Sequence, residues 1–306
     1  MEPVAGARPS GGDVQARGSR QRTGVWRPWP SGWLGLGLAA PLVALLVVFA
    51  AYPVLQLMAE SVASTGGTDA YVEYFRSPSA MRGLLLTLVT SLVVTVLAVV
   101  GGAMVAWTML TAKSGLVRGM LWVATLTPMW MGVVVKNYAF TLLLGREGAL
   151  NGALKLLPFV EETPTDLLYT PTAVVLGVLY SMMPFAILPL YVGLRQIDPD
   201  LVRAAEGLGA SHAGAIRTVV VPLATPAFVA SAVVVFVISI GFYVTPILLG
   251  GPRSAFVASR IQDDLFKYFN EPEARVASVT ILVIAVAVVT LAMRVVGADR
   301  IRRAMS

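Results

Sequence analysis

The chain has 306 residues, of which 57% are hydrophobic and only 13% charged, with a mean hydropathy of +0.76 and a net charge of +6. An ordinary soluble domain carries about 25% charged residues, so the composition is that of a membrane protein. There is no cysteine and one histidine, His212, which excludes disulfides and thiolate chemistry and leaves a zinc or iron site to rest on carboxylates alone; no catalytic residue, metal site or cofactor is expected.

Residues 1–30 hold Pro, Gly, Ser, Gln and five Arg without apolar periodicity, and read as a disordered basic tail against the inner membrane surface. A helix needs about 20 apolar residues to cross the hydrocarbon layer, and the first such run covers 34–57. Its 24 residues exceed the apolar core of a signal peptide, about 7 to 15 residues. It predicts a retained helix, which with the following outer loop makes up residues 31–82. The small-residue triplet Ser61-Val62-Ala63 is what favours the rival, cleaved reading.

Five further runs, at 83–110, 119–144, 171–194, 225–249 and 276–296, predict a five-helix core over 83–296, hence an all-α protein with six transmembrane helices. None of the runs contains an Asp or Glu, as the penalty of about 2.5 to 3.5 kcal/mol for a central charge requires. On the second run Thr87, Ser91 and Thr95 recur four apart with Thr90 beside them, a hydroxyl stripe expected to serve helix packing. The third run carries Lys136, about 25 Å along a straight helix from its inner end. It either snorkels to the headgroups or lines a wet pathway through the bundle.

The loop 145–170 is rich in Gly and Pro, with a short helix expected at 149–157 that caps the outer end. In the fourth run Pro184 predicts a break. Tyr180, Met182 and Met183 beside it, with Ser239 and Tyr243 in the fifth run, are candidate pathway-lining residues, ordinary bundle packing being the competing reading for each.

Orientation follows from the loops that hold Lys and Arg. With the N-terminus inside, the inner segments hold fourteen and the outer loops eight; after subtraction of acids the inner face stands at +8 and the outer at −3, Lys136 supplying the remaining charge. Both termini are expected in the cytoplasm, residues 297–306 forming a short tail, and so is the 30-residue interruption 195–224. A plain loop needs only a few turn residues. Here Asp198-Pro199-Asp200 can start a helix, Leu201, Ala204, Ala205 and Leu208 repeat at helical spacing, and Gly209 ends it. Ser211 can cap a second short helix that Pro222 ends, and Thr225-Pro226 then opens the fifth run. The result is a bent elbow whose small residues suit a short helix inserted into a partner's groove; a re-entry linker is the alternative.

The pattern Ala204-Ala205, three residues, Gly209, nine residues, Val219-x-Val221-Pro222 resembles the EAA loop of ABC importer permeases, whose form is Glu-Ala-Ala, three residues, Gly, nine residues, Ile-x-Leu-Pro. The stretches TPMWMGVVVKNYAFTLLLGREGALN, LYSMMPFAILPLYVGLRQIDPDL and FYVTPILLGGPR are similar to those of the first permease subunit in spermidine/putrescine-type importers. Together the similar stretches span about residues 35–295. The resemblance implies a type I ABC importer permease fold with a cytoplasmic coupling-helix elbow, in the inner membrane of a bacterium. It also implies a second permease subunit, an ATPase dimer docked at 195–224 and a soluble substrate-binding protein, with membrane lipid around the chain and no nucleic-acid partner. Carried onto this chain, the ATPase-coupling residues are Arg203, Ala204, Ala205, Glu206, Leu208, Gly209 and Pro222. Arg203 stands where the family has glutamate, so that glutamate's ion pair does not carry over. Glu206, three residues on and on the same helix face, is the candidate substitute. The implied solute is a polyamine or related cationic amine; a phosphonate, an opine or a metal chelate is the alternative.

No G-x-x-x-x-G-K-[ST] occurs and none of the four Lys follows a glycine, so ATP is expected to be hydrolysed by a partner. A proton- or sodium-coupled carrier commonly needs an intramembrane carboxylate, which the runs lack. A structural half-pore remains the competing class.

Overall fold

A computed structural model describes residues 33–63, 68–154, 167–251 and 254–305, and every regular element among them is helical. The chain divides into two units, residues 1–53 and 54–306. The first contains α1 (Trp33–Leu46), with Pro41 inside it, and a π-helical turn at Val47–Ala51. Then comes α2 (Tyr52–Ala63), and Ala39–Ala63 forms one candidate membrane span. Leu42, Phe49 and Leu55 along it are exposed, as suits side chains that meet lipid. The expected tail at 1–30 lies outside the described residues.

In the second unit α3 (Thr68–Arg76) is tied to α2 by a hydrogen bond between Ser61 and the Tyr71 hydroxyl. Ser77 caps α4 (Pro78–Thr111), its Oγ accepting from the Ala80 N–H at 3.4 Å, with Pro78 in the first turn where no N–H is missed. The third run is not one straight helix: α5 (Gly115–Trp130) and α6 (Val133–Leu144) meet at 110° across Met131 and Gly132. Both of these residues are extended, with ψ of 130° and 143°, so the hydrogen-bond ladder stops there. A height for Lys136 measured along a straight helix is therefore wrong. The turn after α6 needs glycine, because a Cβ on Gly148 would stand 2.4 Å from the Leu143 carbonyl oxygen. The short helix expected at 149–157 is present as α7 (Ala149–Leu154), residues 155–157 lying outside the described ones.

Thr170 caps α8 (Pro171–Arg195) by accepting from the Ala173 N–H. This helix runs through Pro184 and Pro189 without interruption, so the break expected at Pro184 is absent. Packing between neighbours on both sides holds it, although each proline removes a ladder bond. After the short α9 (Pro199–Gly207), α10 (His212–Ala215) passes through a π turn at Ile216–Val220 into α11 (Val221–Ile240), one candidate span from His212 to Ile240. Pro222 thus ends no helix, contrary to the expectation. The π turn sends the Val221 N–H back five residues to the Ile216 carbonyl, and this wider turn relieves the clash of a proline ring with the carbonyl four residues back. Nor is Thr225 a cap; its hydroxyl donates to the Val221 carbonyl at 3.1 Å. The fifth span also ends at Ile240 rather than 249, and a π turn follows at Pro246–Gly250. Next come α12 (Val257–Phe266) and α13 (Glu271–Met305), which continues helically through the expected tail at 297–306 as far as Met305. The described residues hold five spans by length and apolarity, six with the bent pair counted as one.

The core of this unit is α4, α8 and α11 packed together. The helices are built inside out. On α4 the buried face carries Thr87, Ser91, Thr95, Ala98, Gly102 and Ala106, while Leu85, Val89, Leu92 and Val96 are exposed. In lipid, apolar side chains gain nothing by leaving one another's solvent, so small residues that allow close backbone approach make the contacts. Gly102 is such a point: a Cβ there would lie 3.1 Å from that of Ala186. Ser231 on α11 adds a buried hydrogen bond to the Ala186 carbonyl at 3.1 Å. The hydroxyl stripe on α4 is buried packing as expected, with Thr95 bonded to the Ser91 carbonyl at 2.7 Å.

Candidate functional site

The elbow is made by local chemistry. The Asp198 carboxylate accepts from the Asp200 N–H at 2.9 Å, Pro199 begins α9, and Val202 packs with Leu194 and Ile197 on the core below it. Gly209 reverses the chain with φ of 95°, a conformation that costs an L side chain about 1 to 2 kcal/mol. Its N–H bonds to the Glu206 carbonyl at 2.9 Å, and the Ala210 N–H to the Ala205 carbonyl at 3.1 Å. Ser211 then caps α10 from Gly214 at 3.2 Å.

What α9 presents to the exterior is small and apolar at its centre and charged at its flank. Leu208 is 90% exposed and Leu201 46%, Ala204 is exposed, and Ala205 is half-buried. Arg203 pairs with Asp200 at 3.2 Å, and Glu206 Oε1 lies 2.6 Å from His212 Nδ1. Glu206 therefore bridges the Gly209 turn to α10. At the elbow's root Gly193 of α8 and Ala227 of α11 cross so closely that a Cβ on Gly193 would be 2.3 Å from the Ala227 methyl. Pro222 follows the π turn and is exposed.

In the bundle interior, Lys136 is 7% exposed and Ser239 5%. The Tyr180 hydroxyl reaches Met131 Sδ at 3.5 Å and its ring meets Phe140 edge to face. Met182 is packed into the core at 1% exposure, Met183 is half-buried against Gly101, and Tyr243 is 46% exposed. Two polar residues of this region escape sequence reasoning. Asn137 and Thr245 are both fully buried, and Asn137 Oδ1, Thr245 Oγ1 and Ser239 Oγ have no hydrogen-bond partner. Asn137 and Thr245 both approach the backbone of Gly177 on α8. An Asn inside an apolar run was the available signal. Among the described residues no three His, Asp or Glu converge as a metal would need.

Where α3, α12 and α13 meet, Tyr74 and Asp264 are buried beside the ion pair of Arg260 and Glu273, 3.1 Å apart. Burial pushes the Tyr74 hydroxyl up, Arg260 partly opposing it. Burial, with the neighbouring Glu273 carboxylate, raises the Asp264 carboxyl to about 6. A carboxyl whose folded pKa exceeds its unfolded value stabilises the fold fully below about pH 4 and loses that contribution as pH rises through the folded value. The thermal unfolding temperature of the detergent-solubilised chain is therefore expected to carry a term that falls between pH 4 and 6. Asp264→Asn should remove that term; an unchanged difference between pH 4 and 7 would contradict the assignment.

Residues 120–303 match the family described as binding-protein-dependent transport system inner membrane component. The chain is 28% identical over 207 residues to the spermidine/putrescine transport system permease protein PotB of Escherichia coli (strain K12), covering 68% of this chain and 74% of that one. It is 30% identical over 218 residues to the inner membrane ABC transporter permease protein YdcU of the same strain, covering 68% and 69%. Among solved structures, a chain of a bacterial alginate ABC transporter in complex with an alginate pentasaccharide-bound periplasmic protein superposes with a TM-score of 0.69. The identity is 18%, over 86% of this chain and 93% of that one; the likeness is one of fold.

Proposed function

Because this chain belongs to the binding-protein-dependent transport system inner membrane component family, we propose that it is the transmembrane permease subunit of an ATP-driven importer. In this reading it pairs with a second permease subunit, docks an ATPase dimer at residues 195–224 and receives its solute from a soluble binding protein. The observation that carries the reading is the elbow. A short helix with Leu201, Ala204 and Leu208 exposed, fixed by a cap at one end and a left-handed glycine at the other, suits insertion into a groove. Closure of the ATPase dimer would drag α9, and the tight crossing of α8 and α11 beneath it would turn that movement into rocking of the bundle around a central site.

Glu206 supports this arrangement from within the chain, since its carboxylate meets His212. Arg203 is left with an exposed pair to Asp200, a contact of small energy that a partner's carboxylate can replace. A charge-swap pair between residue 203 and the ATPase groove, restoring transport that each single change abolishes, tests that contact.

The favoured solute is a polyamine or related cationic amine, as in the names of the PotB relatives. The buried Lys136 supports the second reading, an anionic solute such as a phosphonate, provided that its ammonium lines the path, where it would repel a cation. Uptake of labelled putrescine and of an aminophosphonate, compared in a deletion strain and a Lys136→Met variant, decides between them. Loss of putrescine uptake on deletion is expected; unchanged uptake, with no redundant carrier present, would sink the polyamine reading.

The Lys and Arg distribution supports a cytoplasmic location for both termini and for 195–224. The chain lacks cysteine, so single-cysteine variants report cleanly. With an impermeant thiol reagent on intact cells, Tyr268→Cys should label and Ser211→Cys should not; the reverse pattern would invert the topology.

A further inference from the structure

The joint of α3, α12 and α13 stands at the end of the bundle away from the elbow. Met109 near the close of α4 shares an apolar cluster with Leu194 at the elbow's root, whereas Thr87 near its start accepts from the Val257 N–H of α12 at 3.0 Å. Two carboxylates meet in this joint and are served unequally. Glu273 of α13 receives a donor on each oxygen, the Arg260 guanidinium on Oε1 and the Asn270 side-chain amide on Oε2, both at 3.1 Å. Asp264 of α12 is 7% exposed, and no hydrogen bond or ion pair from the described residues reaches its carboxyl.

The other groups around Asp264 leave that imbalance in place. From α3 come the buried Tyr74 hydroxyl and the exposed Glu73, from α12 Arg260 and Asp263, and from α4 the apolar Ala80 and Leu84. Arg275 of α13 is taken up by Glu271 at 2.7 Å and Glu60 at 3.7 Å. A buried carboxyl with carboxylates for neighbours and no donor of its own keeps a proton more readily than one in water.

Two further features let the joint move. A cavity of about 290 Å³ lies between the end of α3 and the start of α13, with Glu73, Tyr74, Ser77, Asn270 and Glu273 in its lining, so water has room to approach the cluster. The turn from α12 into α13 is also strained. Phe269 takes φ of 54°, and the turn is held by the Asn270 N–H, which donates to the Asp264 carbonyl at 2.8 Å. A residue other than glycine persists in that conformation only while its surroundings impose it.

We propose that this joint is a proton-operated latch, closed while Asp264 is protonated and parted when Asp264 ionises. In the closed form an ionised Asp264 would gain no partner and would lie beside the charge of Glu273. Parting hydrates the carboxylate and separates the two charges, so opening releases one proton to water. Burial, with the Glu273 carboxylate, holds the Asp264 carboxyl at about 6, so the latch closes below that pH and opens above it. That it answers to the pH outside the cell rests on the topology of the importer reading; that it titrates does not.

The chain lacks cysteine, so nitroxide labels on Val72→Cys and Tyr268→Cys, exposed positions on α3 and in the α12–α13 turn, report the width of the joint in the full chain held in lipid discs. Their separation is expected to lengthen as pH rises from about 4.5 to about 8, with a midpoint near 6. Asp264→Asn should hold the short distance throughout. Glu273→Gln should move the midpoint down by about one pH unit or more, because the like charge goes and Arg260 is freed for Asp264. A parent distance that does not lengthen with pH, or a midpoint unmoved by Glu273→Gln, overturns the latch even if Asp264→Asn does not fold. ATPase association of the same chain scores the importer reading separately. A chain that binds its ATPase but shows no pH-dependent distance overturns the latch alone, and a pH-dependent distance in a chain that binds none overturns the importer reading alone.

Discussion

Gly209→Val is expected to cut ATP-coupled uptake severely while the chain still inserts and accumulates in the membrane. The φ of 95° at this residue lies where a β-branched side chain is strained. Nothing lies within 4 Å of a Cβ built there, so the effect is conformational and not a clash. To escape the strain the turn must open, which breaks the Gly209 to Glu206 and Ala210 to Ala205 backbone bonds and separates Glu206 from His212. The end of α9 then swings freely and can no longer transmit a push. Transport should fall by about five- to thirtyfold, the equivalent of the roughly 1 to 2 kcal/mol such strain costs. Gly209→Asn should retain much of it, because asparagine tolerates the left-handed region. Uptake and ATPase association measured for the three chains at equal membrane content check this. Equal transport by the Val variant would reduce the elbow to a linker.

The second large effect is expected at the elbow's root. Gly193→Ala should impair both thermal stability and coupling, because its methyl would sit 2.3 Å from that of Ala227 and neither group can rotate away. Overpacking of this kind costs about 1 to 3 kcal/mol, and here it must be relieved by parting α8 from α11 where they support α9. Ala227→Gly on top of Gly193→Ala should restore both properties, since it moves one methyl across the same contact. Ala227→Gly alone should be mild. If the double variant is as impaired as Gly193→Ala, the crossing is not what matters. The non-additive pattern is the signature of two residues sharing one contact.

The sequence made the elbow legible because its determinants are local: an aspartate before a proline caps a helix, and a glycine at the end of an apolar repeat accepts positive φ. Asp198 and Gly209 do this. Burial of the Thr87, Ser91 and Thr95 stripe was legible for a similar reason, four-residue spacing being a property of the helix itself. The shape of the spans was not. Apolar length says that a segment can cross a bilayer and nothing about bends, so the 110° turn at Met131 and Gly132 passed for a straight helix. Prolines misled twice. Pro184 sits in a helix held by packing on both sides, and Pro222 is absorbed by a π turn; in both cases neighbours or a wider turn overrode the local rule. Asn137 and Thr245 were missed because their meeting at Gly177 joins distant parts of the chain. The pairing of Glu206 with His212 was not legible either, because it depends on the reversal at Gly209.

The central proposal is that an ATPase subunit drives this chain through residues 195–224. Affinity purification of the tagged chain from its native membrane tests this most directly, alongside a variant in which residues 199–209 are replaced by a Gly/Ser linker of equal length. The intact chain is expected to bring down an ATP-binding subunit and a second permease, and the linker variant to keep the second permease while losing the ATPase. An intact chain that purifies without an ATPase, or a linker variant that retains it in full, would contradict the claim.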